Sequence, residues 1–268
     1  MNQEVAEFAR NLRALVLEMV TLAGSGHVAG ALGMAEVYAL LYREILHQNP
    51  EQPSMPDRDR LIVSCGHTAP ARYAAMALSG YFPTAEVLSL RRFGSRLQGH
   101  PSTIHLPGLE TDSGSLGQGL SQALGMALEA RRTQQHWHTY CILSDGEHQE
   151  GQTWEAVQYA GAKQPANLTA IIDRNGIQID GRTEVLVPLR DIAAQYAQYH
   201  WEVSTVAGHD IDALRAVFNK RSTQQGPHCI VVETTPGKGV SFMEDAYQWH
   251  GKAPTRREAR EALMEVLQ

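Results

Sequence analysis

The segment "LSDGEHQEGQTWEA", residues 143–156, sets Asp145, Glu147, Glu150 and His148 among two glycines directly after an apolar run. A second polar cluster, Asp173-Arg174-Asn175-Gly176, closes the apolar run "LTAII". One helix-like stretch, "TWEAVQYAGAK", lies between them. Two strands joined by such a helix would put Asp145 and Asn175 at equivalent ends of neighbouring strands. A carboxylate and a carboxamide oxygen held together suit a hard divalent cation. Mg²⁺ keeps few protein ligands and completes its octahedron with phosphate oxygens and water, so a two-residue clamp implies a diphosphate-bearing ligand. Gly146 would let that ligand come close to the main chain. The plainer alternative is that Asp145 caps the next helix and Asn175-Gly176 is only a turn.

Four histidines share a second pattern: Gly26-His27, Gly66-His67, Gly99-His100 and His250-Gly251. Singly, each fits a structural role. Together, at loop positions, they can donate hydrogen bonds to ligand hydroxyls and pass protons near neutral pH. His47, His105, His136, His138, His148, His200, His209 and His228 lack such a setting and are assigned to surface or scaffold.

The elements that must carry these residues follow from periodicity. Val5, Phe8, Leu12, Leu15, Val16 and Met19 mark one face of a helix over residues 3–22, and "MAEVYALLYREIL" continues in helix. "RLIVSCGH", "TYCILSDG", "LTAIIDRNG", "WEVSTVAG" and "HCIVVETTPGKG" contain continuous apolar runs, as expected of strands buried on both faces. Most are followed by helix-like stretches, which predicts an α/β fold with a doubly wound, mainly parallel sheet. Ligands bind such sheets beyond the carboxyl ends of the strands. Cys65-Gly66-His67, Ser144-Asp145-Gly146, Asp173–Gly176 and Thr235–Gly239 all fall there. Residues 1–268 read as one domain, with 252–268 a polar tail or terminal helix.

Composition narrows the function classes. Hydrophobic residues at 43% and charged residues at 19% fit a globular chain, and a net charge of −6 without a basic stripe argues against nucleic acid. No signal peptide and no transmembrane run is read, and Cys65, Cys141 and Cys229 read as reduced, buried thiols. A cytoplasmic location is the expectation.

"SDGEHQEGQTWEA…DRNGIQIDG" resembles the thiamine diphosphate motif, Gly-Asp-Gly followed later by Asn. "SGHVAGALGMAEVYALLY", "SCGHTAPARYAAMALSGYF", "GSRLQGHPSTIHLPGLETDSGSLGQGLSQALGMALEAR" and "TTPGKGVSFMEDAYQWHGKAP" resemble successive blocks of the transketolase family, over nearly the whole chain. Ser144 departs from the motif's first glycine. The resemblance implies that Asp145, Asn175 and the Ile177 carbonyl hold Mg²⁺ or Ca²⁺ against the cofactor's diphosphate, with Gly146 giving access to main-chain N–H groups. It implies that His67 and His250 contact the diphosphate or the substrate channel, and that Gly114-Ser115-Leu116 lies along the aminopyrimidine. His27, His100 and His250 would bind donor and acceptor groups and move their protons. Glu150 would face a neighbouring subunit, whereas Glu147 reads as an acid favoured near a helix N-terminus.

In that family the glutamate that activates the cofactor belongs to a second, pyrimidine-binding domain. The resemblance therefore implies the N-terminal subunit of a split transketolase, with a C-terminal subunit completing it in a dimer of heterodimers (α2β2). Together they would transfer a two-carbon ketol unit between sugars or sugar phosphates, with neither nucleic acid nor membrane as partner. Alternatives are one chain of another thiamine diphosphate enzyme, such as a 2-oxoacid dehydrogenase, and a non-catalytic paralogue.

Overall fold

The computed structural model describes residues 2–223 and 225–268. Its first helix, α1 (Asn2–Ala23), buries Val5, Phe8, Leu12, Val16 and Met19, the apolar spacing of the sequence, with Leu15 partly buried. Short helices α2 (Ala29–Gly33) and α3 (Ala35–Leu40) follow, the latter running into a wider turn at Leu41–Ile45. Strand β1 (Arg60–Val63) leads into α4 (Ala69–Leu78). After a largely irregular stretch come α5 (Gly119–Arg132), β2 (Thr139–Ser144), α6 (Gly151–Lys163) and β3 (Leu168–Arg174). A small hairpin, β4 (Ile177–Gln178) and β5 (Gly181–Arg182), precedes α7 (Thr183–Leu186) and α8 (Ile192–Gln198). The chain ends with β6 (Glu202–Ala207), α9 (Ile211–Phe218), β7 (His228–Glu233) and α10 (Arg256–Val266).

Five strands form one sheet in the order β1-β2-β3-β7-β6, every neighbouring pair parallel. Helices cover both faces. Tyr140, Ile142, Ile171 and Ile230 join the core built with α1, α3 and α4, while Cys141, Leu143, Ala170 and Ile172 join the one built with α5, α6 and α8. That alternation along single strands is why the runs are apolar at every position. One expectation fails in detail. β6 is an edge strand on which Thr205 and Ala207 are exposed and Val203 is partly buried, so only the face carrying Ser204 and Val206 is buried.

Residues 252–268 are largely helix. Thr255 caps α10 by accepting the Glu258 N–H, the Glu258 carboxylate accepts the Thr255 N–H, and Ala262 and Val266 join the core with α1. Among the described residues no helix is long and apolar enough to cross a membrane. The three cysteines are buried and unpaired, and burial pushes their thiols up.

Candidate active site

The pairing of β2 with β3 sets Ser144 against Asp173, so the loops that leave these strands lie side by side. Asp145 is fully buried where β2 ends. Its Oδ1 accepts the Gly146 N–H at 2.7 Å, and its Oδ2 accepts the Gly176 N–H at 2.8 Å. Gly176 sits at φ +71°, a conformation that favours glycine, and turns the chain so that its N–H meets the carboxylate. Asn175 is held from both ends: its amide donates to Asp173 Oδ2 at 2.7 Å, and its Oδ1 accepts the Ile177 N–H at 3.0 Å. Asp145 does cap the turn that follows it, the plainer of the two alternatives, but it also bridges to the Asn175-Gly176 loop.

Electrostatics reinforce this. Burial pushes the Asp145 carboxyl up, against hydrogen bonds from Gly176 and the charge of Arg174, whose Nη1 lies 3.0 Å from Oδ2. Asp173, buried and bonded to the Thr234 hydroxyl, is pushed up to about 7 by burial and then by the nearby Asp145 charge. Among the described residues no group of three or more His, Cys, Asp or Glu is arranged to hold a metal ion alone. A metal here would depend on a carboxamide, a carbonyl and oxygens brought by a ligand.

Above this floor opens a cleft of about 430 Å³. It is lined by His27, His67, His100, His250, Gly114, Leu116, Ser144, Gly146, Glu150, Asn175 and Ile177, most of the residues singled out in the sequence. Asp145 lies beneath the lining. Ser115 is exposed and borders a neighbouring cavity of about 350 Å³ with Ser64 and Gln118; Gly114 lines both that cavity and the main cleft, and Leu116 only the main cleft. Gly66 draws the Cys65-Gly66-His67 turn against the 113–114 segment so closely that a Cβ would stand 2.8 Å from the Gly114 nitrogen.

Three of the histidines pack into one cluster. The His27 ring centre is 4.9 Å from that of His67 and 5.3 Å from that of His250, and the His67–His250 distance is 5.3 Å. Burial, and next the His250 ring, lowers His27 to about 4; burial, and next the His27 ring, lowers His67 to about 3. His250 is lowered by burial, and His100 by burial and then by Arg91. All four are thus neutral at pH 7. The Nδ1 atoms of His27 and His250 are buried without a hydrogen-bond partner. Buried unpaired nitrogens on a cleft wall are ready to meet a polar ligand.

Two residues make contacts that the sequence does not show. Glu147 stands in the first turn after Asp145, where the sequence places it, and is also fully buried, accepting hydrogen bonds from the Ser64 hydroxyl, the Gly117 N–H at 2.6 Å and the Ser144 N–H at 3.3 Å. Ser144 returns the bond, its hydroxyl accepting the Glu147 N–H at 3.3 Å. His148, assigned to surface or scaffold, is buried scaffold: Nδ1 meets the Ser144 carbonyl at 2.9 Å and Nε2 the Tyr196 hydroxyl at 3.0 Å. Arg174 was missed. It stood inside the quoted cluster, but nothing in the sequence marks its partner.

A parallel sheet with an aspartate and an asparagine at the carboxyl ends of adjacent strands, under a cleft lined by four histidines, marks an α/β domain with its cleft where such sheets bind ligands. Residues 4–265 match the family model "Transketolase, thiamine diphosphate binding domain", and the chain belongs to that family. It is 38% identical over 259 residues to the 6-deoxy-6-sulfo-D-fructose transketolase subunit SqwG of Clostridium sp. (strain MSTE9), covering 96% of this chain and 94% of that one. It is 37% identical over 255 residues to an apulose-4-phosphate transketolase subunit of Phocaeicola vulgatus, covering 95% and 90%. Among solved structures, the transketolase of Campylobacter jejuni superposes with a TM-score of 0.93 at 30% identity, over 98% of this chain and 43% of that one. The chain therefore spans less than half the length of that transketolase. The family match over nearly the whole chain decides against a 2-oxoacid dehydrogenase subunit.

Proposed function

We propose that this chain is the diphosphate-binding subunit of a two-chain transketolase, completed by a C-terminal subunit that carries the pyrimidine-binding domain. Two curated relatives of matching length are described as transketolase subunits, which supports a separate partner chain. An α2β2 assembly is the arrangement we favour, with residues 1–268 acting as one domain. A cytoplasmic setting, where the buried thiols stay reduced, goes with this reading.

The observation that carries the cofactor assignment is the cleft's charge. Among the described residues no Lys or Arg lines it, yet a buried carboxylate and a carboxamide sit at its floor. A diphosphate there needs a divalent cation to offset its charge, and these groups fit one. Asp145, Asn175 and the Ile177 carbonyl would hold Mg²⁺ or Ca²⁺, with main-chain groups at Gly146 facing the diphosphate. Gly114, Ser115 and Leu116 would lie along the aminopyrimidine, and His67 and His250 would contact the diphosphate or the adjoining channel. When bound, thiamine diphosphate supplies the carbon nucleophile and electron sink for ketol transfer.

The chain's own residues bind, orient and move protons. His27, His100 and His250, neutral at pH 7, can each accept a proton at one ring nitrogen while donating an N–H from the other. They would bind the hydroxyl and carbonyl groups of a ketose or ketose phosphate donor, then of an aldose acceptor, and hold the transferred protons. Glu150, exposed at the cleft edge, would face the partner. The test is ketol transfer from a ketose phosphate to an aldose phosphate, by the chain alone and with its C-terminal partner. Activity only in the mixture is expected; full activity of the isolated chain would refute the split.

A further inference from the structure

Arg174 lies against the floor of the cleft, and the family assignment leaves it without a role. Its guanidinium reaches in from the surface between two acids. Nη1 lies 3.0 Å from Asp145 Oδ2 and 3.3 Å from the Thr183 hydroxyl, while Nη2 donates to Glu184 Oε1 at 2.6 Å. The inner acid has a side chain only 1% exposed; the outer one, on α7, is 46% exposed.

Asp145 therefore has little acceptor capacity left. A carboxylate offers about four lone-pair sites, and the Gly146 N–H, the Gly176 N–H and Arg174 engage three of them. A free divalent cation reaching Asp145 must share Oδ2 with a guanidinium and bear its repulsion in a poorly solvated place, where like charges are costly. A cation that arrives already bound to a diphosphate has its charge offset, so the guanidinium no longer repels it as it would a free cation.

We propose that Arg174 makes metal capture by Asp145 conditional on the diphosphate. It holds the carboxylate against a free divalent cation, and Glu184 is the alternative anchor that takes the guanidinium when the metal–diphosphate complex arrives. The metal and cofactor would then load together rather than in sequence. This rests on the metal–diphosphate reading above.

Mn²⁺ titrations of the full chain, read by water-proton relaxation with and without thiamine diphosphate, test it without any turnover. With Mn²⁺ alone, Arg174→Met, and Arg174→Gln as a second neutral variant, should bind at least about tenfold more tightly than wild type, a shift of about 1.4 kcal/mol. Glu184→Gln should weaken Mn²⁺ binding in the wild-type background and have no effect beside Arg174→Met. Addition of thiamine diphosphate should raise Mn²⁺ affinity far more in wild type than in Arg174→Met. The proposal is overturned if the neutral variants bind Mn²⁺ alone no better than wild type, or if Glu184→Gln acts equally in both backgrounds. Should no protein take up Mn²⁺ even with saturating thiamine diphosphate, the cofactor reading itself fails and this inference falls with it.

Discussion

The Glu147 carboxylate accepts the Gly117 N–H at 2.6 Å, joining the loop after β2 to the loop before α5. The same carboxylate takes the Ser64 hydroxyl, and that hydroxyl in turn accepts the Gly119 N–H at 2.9 Å. Loops following β1 and β2 and the segment entering α5 thus meet on one buried acid. All three form cleft wall, at His67, at Ser144 and Gly146, and at Gly114 and Leu116.

Glu147→Gln keeps the shape but turns one acceptor oxygen into a donor facing another donor. Leaving such a buried group unsatisfied costs about 1–3 kcal/mol, so urea denaturation should show a loss of that size. Calorimetry should also show weaker thiamine diphosphate binding, because the 114–117 segment loses its tie to the loop after β2. Unchanged stability and affinity would mean that Glu147 is only a space-filling acid.

Gly66→Ala tests the close approach of two walls. The added methyl would stand 2.8 Å from the Gly114 nitrogen and 2.9 Å from the Ser113 carbonyl carbon, main-chain atoms that cannot swing aside. Overpacking of this kind costs about 1–3 kcal/mol. The expected outcome is lower stability together with loss of cofactor affinity, since His67 and Gly114 are pushed apart. A variant as stable as wild type would show that the turn has slack.

The histidine cluster sets a pH dependence whose sign is definite. Burial lowers His27 to about 4 and His67 to about 3 in the fold, whereas both sit near 6.5 in the unfolded chain. As pH falls from 6.5 toward 4 the unfolded chain takes up protons that the fold refuses, so unfolding becomes easier. Above pH 6.5 both forms are neutral and the cluster adds no slope. Urea midpoints measured from pH 7.5 to 5 should fall below about pH 6.5, and His67→Asn should flatten that fall. In NMR, the His27 and His67 ring protons should not titrate between pH 7.5 and 5.5; a midpoint near 6.5 would contradict the packing of this cluster.

Much of this was legible in the sequence. Five apolar runs gave five strands, and a single intervening helix sufficed to infer that β2 and β3 are neighbours. The clustering of polar residues where strands end then pointed to the cleft. What was not legible depends on contacts distant in sequence. Glu147 reads as an ordinary acid until Ser64 and Gly117 are folded against it, and Arg174 until Glu184 returns beside it. β6 looked doubly buried because Val203, Val206 and Ala207 resemble a core run, although no strand pairs beyond it. The β4–β5 hairpin has only two residues in each strand, too few to carry a period. The stretch between α4 and α5, which holds His100 and Gly114, is mostly irregular, so no periodicity could place it.

The most direct measurement of the central claim is calorimetric titration of thiamine diphosphate into the chain, with Mg²⁺ and with chelator, in wild type, Asp145→Ala and Asn175→Ala. The account predicts binding that requires Mg²⁺ and is lost or greatly weakened in both variants. Equal binding in chelator, or variants that bind as wild type does, would contradict it.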